Sequence, residues 1–249
     1  MSKVLIFILL FIPGISFARN DTARITGGSG KVPLWMLIVP PALVSYGIAT
    51  RVSPALLHLD QRVDYQVLRN IGRKYPVDDY IQYVPYAGIY VPGLFGIKSE
   101  HNLIDKTLVL GASLMICTSS VQISKRLTGI TRPDGSNHHS FPSGHTATAF
   151  LGAHISFREY RNSAPWIGIT GYGFAMTTGI LRIMNRKHWL SDVLAGAGIG
   201  IMSVELAYMM LPVYNKILKV NSFGIKNRQL AINPLIGKNG LGIGVIMVF

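Results

Sequence analysis

Three short runs of this sequence carry side chains whose types and spacing can do phosphoryl chemistry. They are Lys125 with Arg132-Pro133, then Ser140-Phe141-Pro142-Ser143-Gly144-His145, then Arg182 with His188 and Asp192. Each lies at the border of an apolar segment, where a charge needs a reason. His188 and Asp192 are separated by one helical turn, so on a helix they share a face. A carboxylate there can accept a hydrogen bond from one ring nitrogen and fix the tautomer, which frees the other nitrogen to attack. His145 can donate a proton to a leaving oxygen. Lys125, Arg132 and Arg182 supply positive charge for the equatorial oxygens of a phosphoryl group in transfer. Ser143 and Gly144 precede a helix, whose free N–H groups and dipole favour an anion. Pro133 and Pro142 stiffen the connecting loop. No set of carboxylates or histidines stands at metal-ligand spacing, so this chemistry needs neither a metal nor a cofactor.

The elements that must position these groups follow from composition. Of 249 residues, 49% are hydrophobic and 14% are charged, with a mean hydropathy of +0.35. A soluble domain carries about a quarter charged residues. The shortfall marks a polytopic all-α membrane bundle, with room for about five or six spans of ~20 residues. The net charge of +13 asks for an anionic partner. Apolar segments without basic-aromatic stripes favour lipid phosphate over nucleic acid. Cys117 stands alone, which excludes an intrachain disulfide and a cysteine zinc site, and it packs as a small apolar residue.

Along the chain, residues 1–18 have the outline of a secretory signal peptide or an uncleaved anchor: Lys3, an apolar core, then Ser16-Phe17-Ala18. Residues 19–79 hold a linker around Gly27-Gly28-Ser29-Gly30, an apolar stretch at 33–50 and an amphipathic helix at 56–74. Pro40-Pro41 gives the apolar stretch a bent or re-entrant path. Leu56, Leu59, Val63, Val67 and Ile71 form the apolar stripe of the helix, with Arg62, Arg69, Arg73 and Lys74 between them, so it lies in the interface. The main membrane domain is expected at 80–212, with apolar segments at 80–97, 104–124, 144–157, 165–181 and 193–212. Residues 213–249 read as a tail with β-hairpin character, since Leu230-Ala231-Ile232 and Leu241 to Phe249 are separated by turn residues.

Alternating crossings put the ends bearing Lys125, Arg132, Ser143, His145, Arg182, His188 and Asp192 on one side of the membrane. Taken singly, each element is ordinary. A histidine and an aspartate one turn apart are commonly a surface pair, and basic residues at span ends are topology signals or snorkelling anchors. All three runs, in order and on one face, favour the functional reading. Of the neighbours, His138 and His139 fit either a substrate contact or a polar loop. Asp134 fits either an orienter of Arg132 or a solvated loop, and His154 is a hydrogen-bonded packing histidine. Trp166 and Trp189 fit interfacial belts.

These motifs resemble the signature of the phosphatidic acid phosphatase type 2 superfamily: Lys and Arg-Pro, then Pro-Ser-Gly-His, then Ser-Arg, His and Asp. The match runs residue by residue except at Leu181, where the family has serine before the arginine. The resemblance covers roughly 80–212 and implies metal-independent hydrolysis of a phosphate monoester or diphosphate through a phosphohistidine. It implies His188 as nucleophile, Asp192 as its orienter, His145 as proton donor, and Lys125, Arg132, Ser143, Gly144 and Arg182 as the phosphate cradle. Members with a similar run before the Pro-Ser-Gly-His element look like bacterial envelope phosphatases acting on lipid A or undecaprenyl diphosphate. The expected partner is therefore a phosphorylated lipid in the inner membrane, with the site facing the periplasm. The same residues would also serve a lipid-to-lipid phosphotransferase, a silent lipid-binding relative or, against the apolar spans, a haloperoxidase.

Overall fold

Helix starts are written into the sequence where they matter for the site. In the computed structural model, which describes residues 34–71, 76–217, 229–237 and 240–248, the helices are α1 (Leu34–Ala49), α2 (Pro54–Asn70), α3 (Asp78–Ile81), α4 (Val84–Leu94), α5 (Leu103–Thr128), α6 (Gly144–Tyr160), α7 (Pro165–Met184) and α8 (Leu190–Ile217). Asn102 caps α5 by accepting from the Asp105 N–H at 2.9 Å, and Lys125 and Arg126 sit in its last turn, where the helix dipole favours cations. Ser143 caps α6, and Pro165 opens α7, where its missing N–H has no intrahelical role. Asp192 reaches back to the Trp189 N–H at 2.9 Å, the reciprocal half of a capping box at the start of α8. Residues β1 (Gln229–Gly237) and β2 (Gly240–Val248) pair antiparallel, Gln229 opposite Val248 and Gly237 opposite Gly240. The expected leader at 1–18, the Gly-rich stretch, Arg73, Lys74 and Phe249 lie outside the described residues.

The core is shared by Ile89 of α4, Val109, Cys117 and Val121 of α5, Ala147, Leu151 and Ile155 of α6, and Ile199, Val204 and Ala207 of α8. α6 and α8 approach so closely that side chains are excluded at two positions. A Cβ on Gly196 would stand 2.5 Å from the Ser143 carbonyl oxygen, and one on Gly200 would strike the Ala147 carbonyl. Ser143 is thereby held against α8 by backbone contact alone.

Among the described residues, two helices, α5 and α8, are each long and apolar enough to cross a membrane. α6 has 17 residues and lies at the centre of the bundle, so its surface serves packing and internal hydrogen bonds more than lipid. Next, residues 34–49 form one continuous helix with Pro40 and Pro41 inside it, not a re-entrant path. Paired prolines remove two donors but leave the rest of the ladder, and α1 packs antiparallel along α8, with Gly47 beside Ala195 and the Pro40 carbonyl beside Gly198. On α2 the face toward the bundle is a mixed one. Asp60 and Val67 are buried and Val63 and Asp64 half-buried, while Leu59 is exposed, because Asp60 and Asp64 find partners on the bundle.

At the end of α6 away from Gly144, His154 is fully buried, bonded to the Tyr172 hydroxyl and, at 2.6 Å, to Glu205, which also holds Arg158. This is the packing role expected of it.

Valine at Gly196 or Gly200 should destabilise the bundle by about 1–3 kcal/mol, the usual cost of overpacking. Alanine at Gly111, where a Cβ meets nothing within 4 Å, should be neutral or stabilising by up to ~1 kcal/mol. Thermal unfolding in detergent reads both, and an unchanged midpoint for Gly196→Val would remove the α6–α8 contact.

Candidate active site

His188 sits in the turn between α7 and α8, just ahead of the helix. The backbone N–H groups of Lys187 and His188 both turn back to the Arg182 carbonyl, at 3.0 and 3.4 Å. The turn depends on Arg186, a non-glycine residue with φ of 55°. Such backbone is uncommon for a bulky side chain and persists where its surroundings fix it. Here Asp64 grips the guanidinium at 2.7 and 2.8 Å and the Pro133 carbonyl takes a further bond at 2.9 Å.

The His188 ring is 2% exposed, and its Nδ1 lies 2.7 Å from the Ser140 carbonyl oxygen. A carbonyl can only accept, so Nδ1 carries the hydrogen and Nε2 keeps its lone pair. Asp192 Oδ2 stands 3.7 Å from the same nitrogen, too far for a hydrogen bond. The direct contact expected of Asp192 is thus made by Ser140, because His188 precedes the helix and the one-turn geometry does not apply. Asp192 acts one step back. It accepts from the Ser140 hydroxyl, from the Trp189 N–H and, through Oδ1 at 2.7 Å, from Arg51, while its carbonyl takes the Ser143 N–H at 3.0 Å.

The cations gather around this ring. Lys125 Nζ donates to the His139 carbonyl at 2.6 Å. Arg182 is buried and donates through Nη1 to Asp78 at 2.7 Å, with Asp79 at 3.5 Å. Arg132 is half-buried beside it. The Nε–H groups of Arg132 and Arg182 are buried and meet no partner among the described residues. Buried donors left unmet cost about 1–3 kcal/mol each, so their presence together suits an anion that supplies the acceptors. Burial first, then the Arg182 charge, pushes Arg132 below its ordinary value. Ser143 and Gly144 open α6 beside them, the Ser143 hydroxyl lying 2.8 Å from that of Thr146. His145 is half-buried with Nε2 2.9 Å from Asp79, so one carboxylate oxygen reaches both His145 and Arg182. Among the described residues, no group of three or more His, Cys, Asp or Glu is placed to hold a metal ion.

Arg51, Asp60, Asp78, Asp79 and Ser191 were not singled out from sequence. Arg51 and the Asp78-Asp79 pair border apolar segments, the same signal that marked Lys125 and Arg182, but neither belongs to a motif. Asp134 does not orient Arg132. It pairs with Lys187 at 2.7 Å and receives the Ser136 N–H. His138 bonds Thr131 at 2.9 Å on the exposed loop, and Trp189 ties that loop down by donating to the Thr131 carbonyl at 2.9 Å.

A helical bundle that brings a buried histidine and unmet guanidinium nitrogens together at one end defines an oxyanion-handling class. Residues 106–216 match the model of the PAP2 superfamily. A lipid A 1-phosphatase from Porphyromonas gingivalis is 43% identical over 135 residues, which are 53% of this chain and 30% of that protein. The chain therefore spans less than a third of that relative's length. Aquifex aeolicus LpxE in its crystal structure is 24% identical with a TM-score of 0.42, the match covering 61% of this chain and 93% of that one. A PAP2-type phosphatidylglycerolphosphate phosphatase from Bacillus subtilis is 18% identical with a TM-score of 0.43, over 73% and 98%.

Burial, opposed by the Asp192 carboxylate and helped by the Lys125 and Arg182 charges, depresses His188 from 6.5 to about 4. The ring stays neutral down to that pH. The unfolded chain takes up the proton first, so this group's share of stability is lost as pH falls from 6.5 toward 4. Ethoxyformylation of His188, followed against pH by mass spectrometry, should show a midpoint near 4; a midpoint near 6.5 would contradict the buried ring.

Proposed function

We propose that the chain is a metal-independent phosphatase for a phosphate monoester or diphosphate of a membrane lipid, working through a phosphohistidine on His188. The observation that carries this reading is the His188 ring, with Nδ1 locked on the Ser140 carbonyl and Nε2 free, beside the unmet Nε–H groups of Arg132 and Arg182. In this reading the Nε2 lone pair attacks phosphorus and the bond to the lipid oxygen breaks. Lys125, Arg132, Arg182 and the Ser143-Gly144 end of α6 hold the equatorial oxygens. His145 gives its proton to the leaving oxygen, then takes one from the water that attacks the phosphohistidine. The P–N bond breaks, inorganic phosphate leaves, and both histidines return to their starting states. Asp79 lies 2.9 Å from His145 Nε2, so in this reading the proton moves once the lipid's leaving oxygen has taken that carboxylate's place.

For the substrate we propose lipid A, with undecaprenyl diphosphate as the alternative envelope lipid. The lipid A 1-phosphatase relative and the leader-like segment 1–18 support this choice. The membrane is then the bacterial inner membrane with the site toward the periplasm. That orientation rests on the envelope-lipid reading, since residues 34–49 form one continuous helix.

Detergent-purified protein should release phosphate from lipid A in a panel with undecaprenyl diphosphate, phosphatidylglycerol phosphate and phosphatidic acid. His188→Ala should lose at least ~10³-fold in kcat while staying folded, because no other group replaces the nucleophile. Vanadate should inhibit and EDTA should not. Near-normal turnover by His188→Ala would end the phosphohistidine mechanism, and no release from any of the lipids would end the phosphatase reading.

A further inference from the structure

We infer that Arg51, outside the 106–216 segment, is a positioning residue for His188 that acts through Asp192 and Ser140. The inference rests on the phosphatase reading above. Arg51 follows the last turn of α1, and its Nη2 donates to Asp192 Oδ1 at 2.7 Å and to the Ser191 hydroxyl at 2.6 Å. Ser191 is itself aimed by Asp60, which takes both its N–H and its hydroxyl hydrogen. The Ser191 oxygen therefore has only lone pairs left to offer Arg51. The guanidinium also lies over the Phe141 ring, 5.0 Å from its centroid, so Arg51 grips the loop residue next to Ser140 as well as the carboxylate that holds Ser140.

Charge makes the arrangement directional. The Asp192 side chain has no exposed surface, and a carboxylate removed from water needs a compensating charge as well as hydrogen bonds. Its donors are the Trp189 N–H, the Ser140 hydroxyl and Arg51. Arg51 alone among them is charged. Lys125 points to the His139 carbonyl and Arg182 to Asp78. Without Arg51, Asp192 would take a proton and give up an acceptor, or draw a proton onto His188. The first releases the Ser140 hydroxyl and the carbonyl that fixes the ring; the second removes the attacking lone pair. Either way the chemical step suffers more than binding, because the Nη2 contacts of Arg51 go to Asp192 and Ser191.

The test uses the full-length protein in detergent with lipid A, measuring kcat, KM and the thermal unfolding midpoint for wild type, Arg51→Gln and Arg51→Lys. Arg51→Gln should lose about 100-fold in kcat, the scale of a misplaced reacting group. KM should stay within about twofold of wild type, and Arg51→Lys should recover at least tenfold of the loss by restoring the charge. A kcat for Arg51→Gln within about twofold of wild type would overturn the inference. So would a loss that tracks a lowered midpoint and that lysine does not relieve, which would make Arg51 a structural anchor only. Wild-type protein that releases no phosphate would instead sink the phosphatase reading, so the two failures are told apart in one experiment.

Discussion

An ionised carboxylate taken out of water costs several kcal/mol unless donors meet its oxygens, and Asp192 has no exposed side-chain surface. Its donors come from well-separated parts of the chain: Arg51 after α1, Ser140 in the loop between α5 and α6, and Trp189 at the start of α8. Satisfying this one group therefore fixes how three segments meet. The His188 ring inherits its orientation from that meeting, since the carbonyl that holds Nδ1 belongs to the same Ser140 whose hydroxyl Asp192 holds. A buried network of this kind is stable when every member is satisfied and fragile when one is lost.

Around the network, the site end is a balance of opposite charges on buried and half-buried side chains. Asp64 holds Arg186, Asp78 holds Arg182 and Asp134 holds Lys187. The acids of α2 and α3 thereby fasten the cationic turn from outside. They leave Arg132 Nε and Arg182 Nε buried without partners among the described residues. Packing and electrostatics converge on α6. Gly196 and Gly200 let α8 press on its backbone, so the helix that presents Ser143 and His145 cannot slide without breaking the core.

Much of this was legible in the sequence. Basic residues and histidines at the borders of apolar runs located Lys125, Arg132, His145, Arg182 and His188, because a charge at such a border is expensive without a task. The start of α6 followed from Ser143. What stayed hidden was relational. That the Ser140 carbonyl, not the Asp192 carboxylate, touches His188 depends on where α8 begins, and helix boundaries are set by capping contacts that spacing does not reveal. Arg51, Asp60 and Asp79 lie far in sequence from the groups they meet, so no local pattern ties them to the site. On α2 the face toward the bundle carries Asp60 and Asp64 beside Val63 and Val67, because those acids have partners there.

The polar network around His154, Arg158 and Glu205 has a consequence for the membrane itself. Along α8, Asp192 and Glu205 are about 20 Å apart at 1.5 Å per residue, and along α6 the gap between His145 and Arg158 is about the same. A bilayer's hydrocarbon core is ~30 Å thick. The two buried polar layers therefore cannot both reach the headgroup levels along these central helices. In a bilayer of ordinary thickness, either the lipid thins around the bundle or the His188 end sits below the headgroups, behind the longer α5. That hydrophobic mismatch would set the His188 end at a depth where it opens sideways into the bilayer before it opens to bulk water.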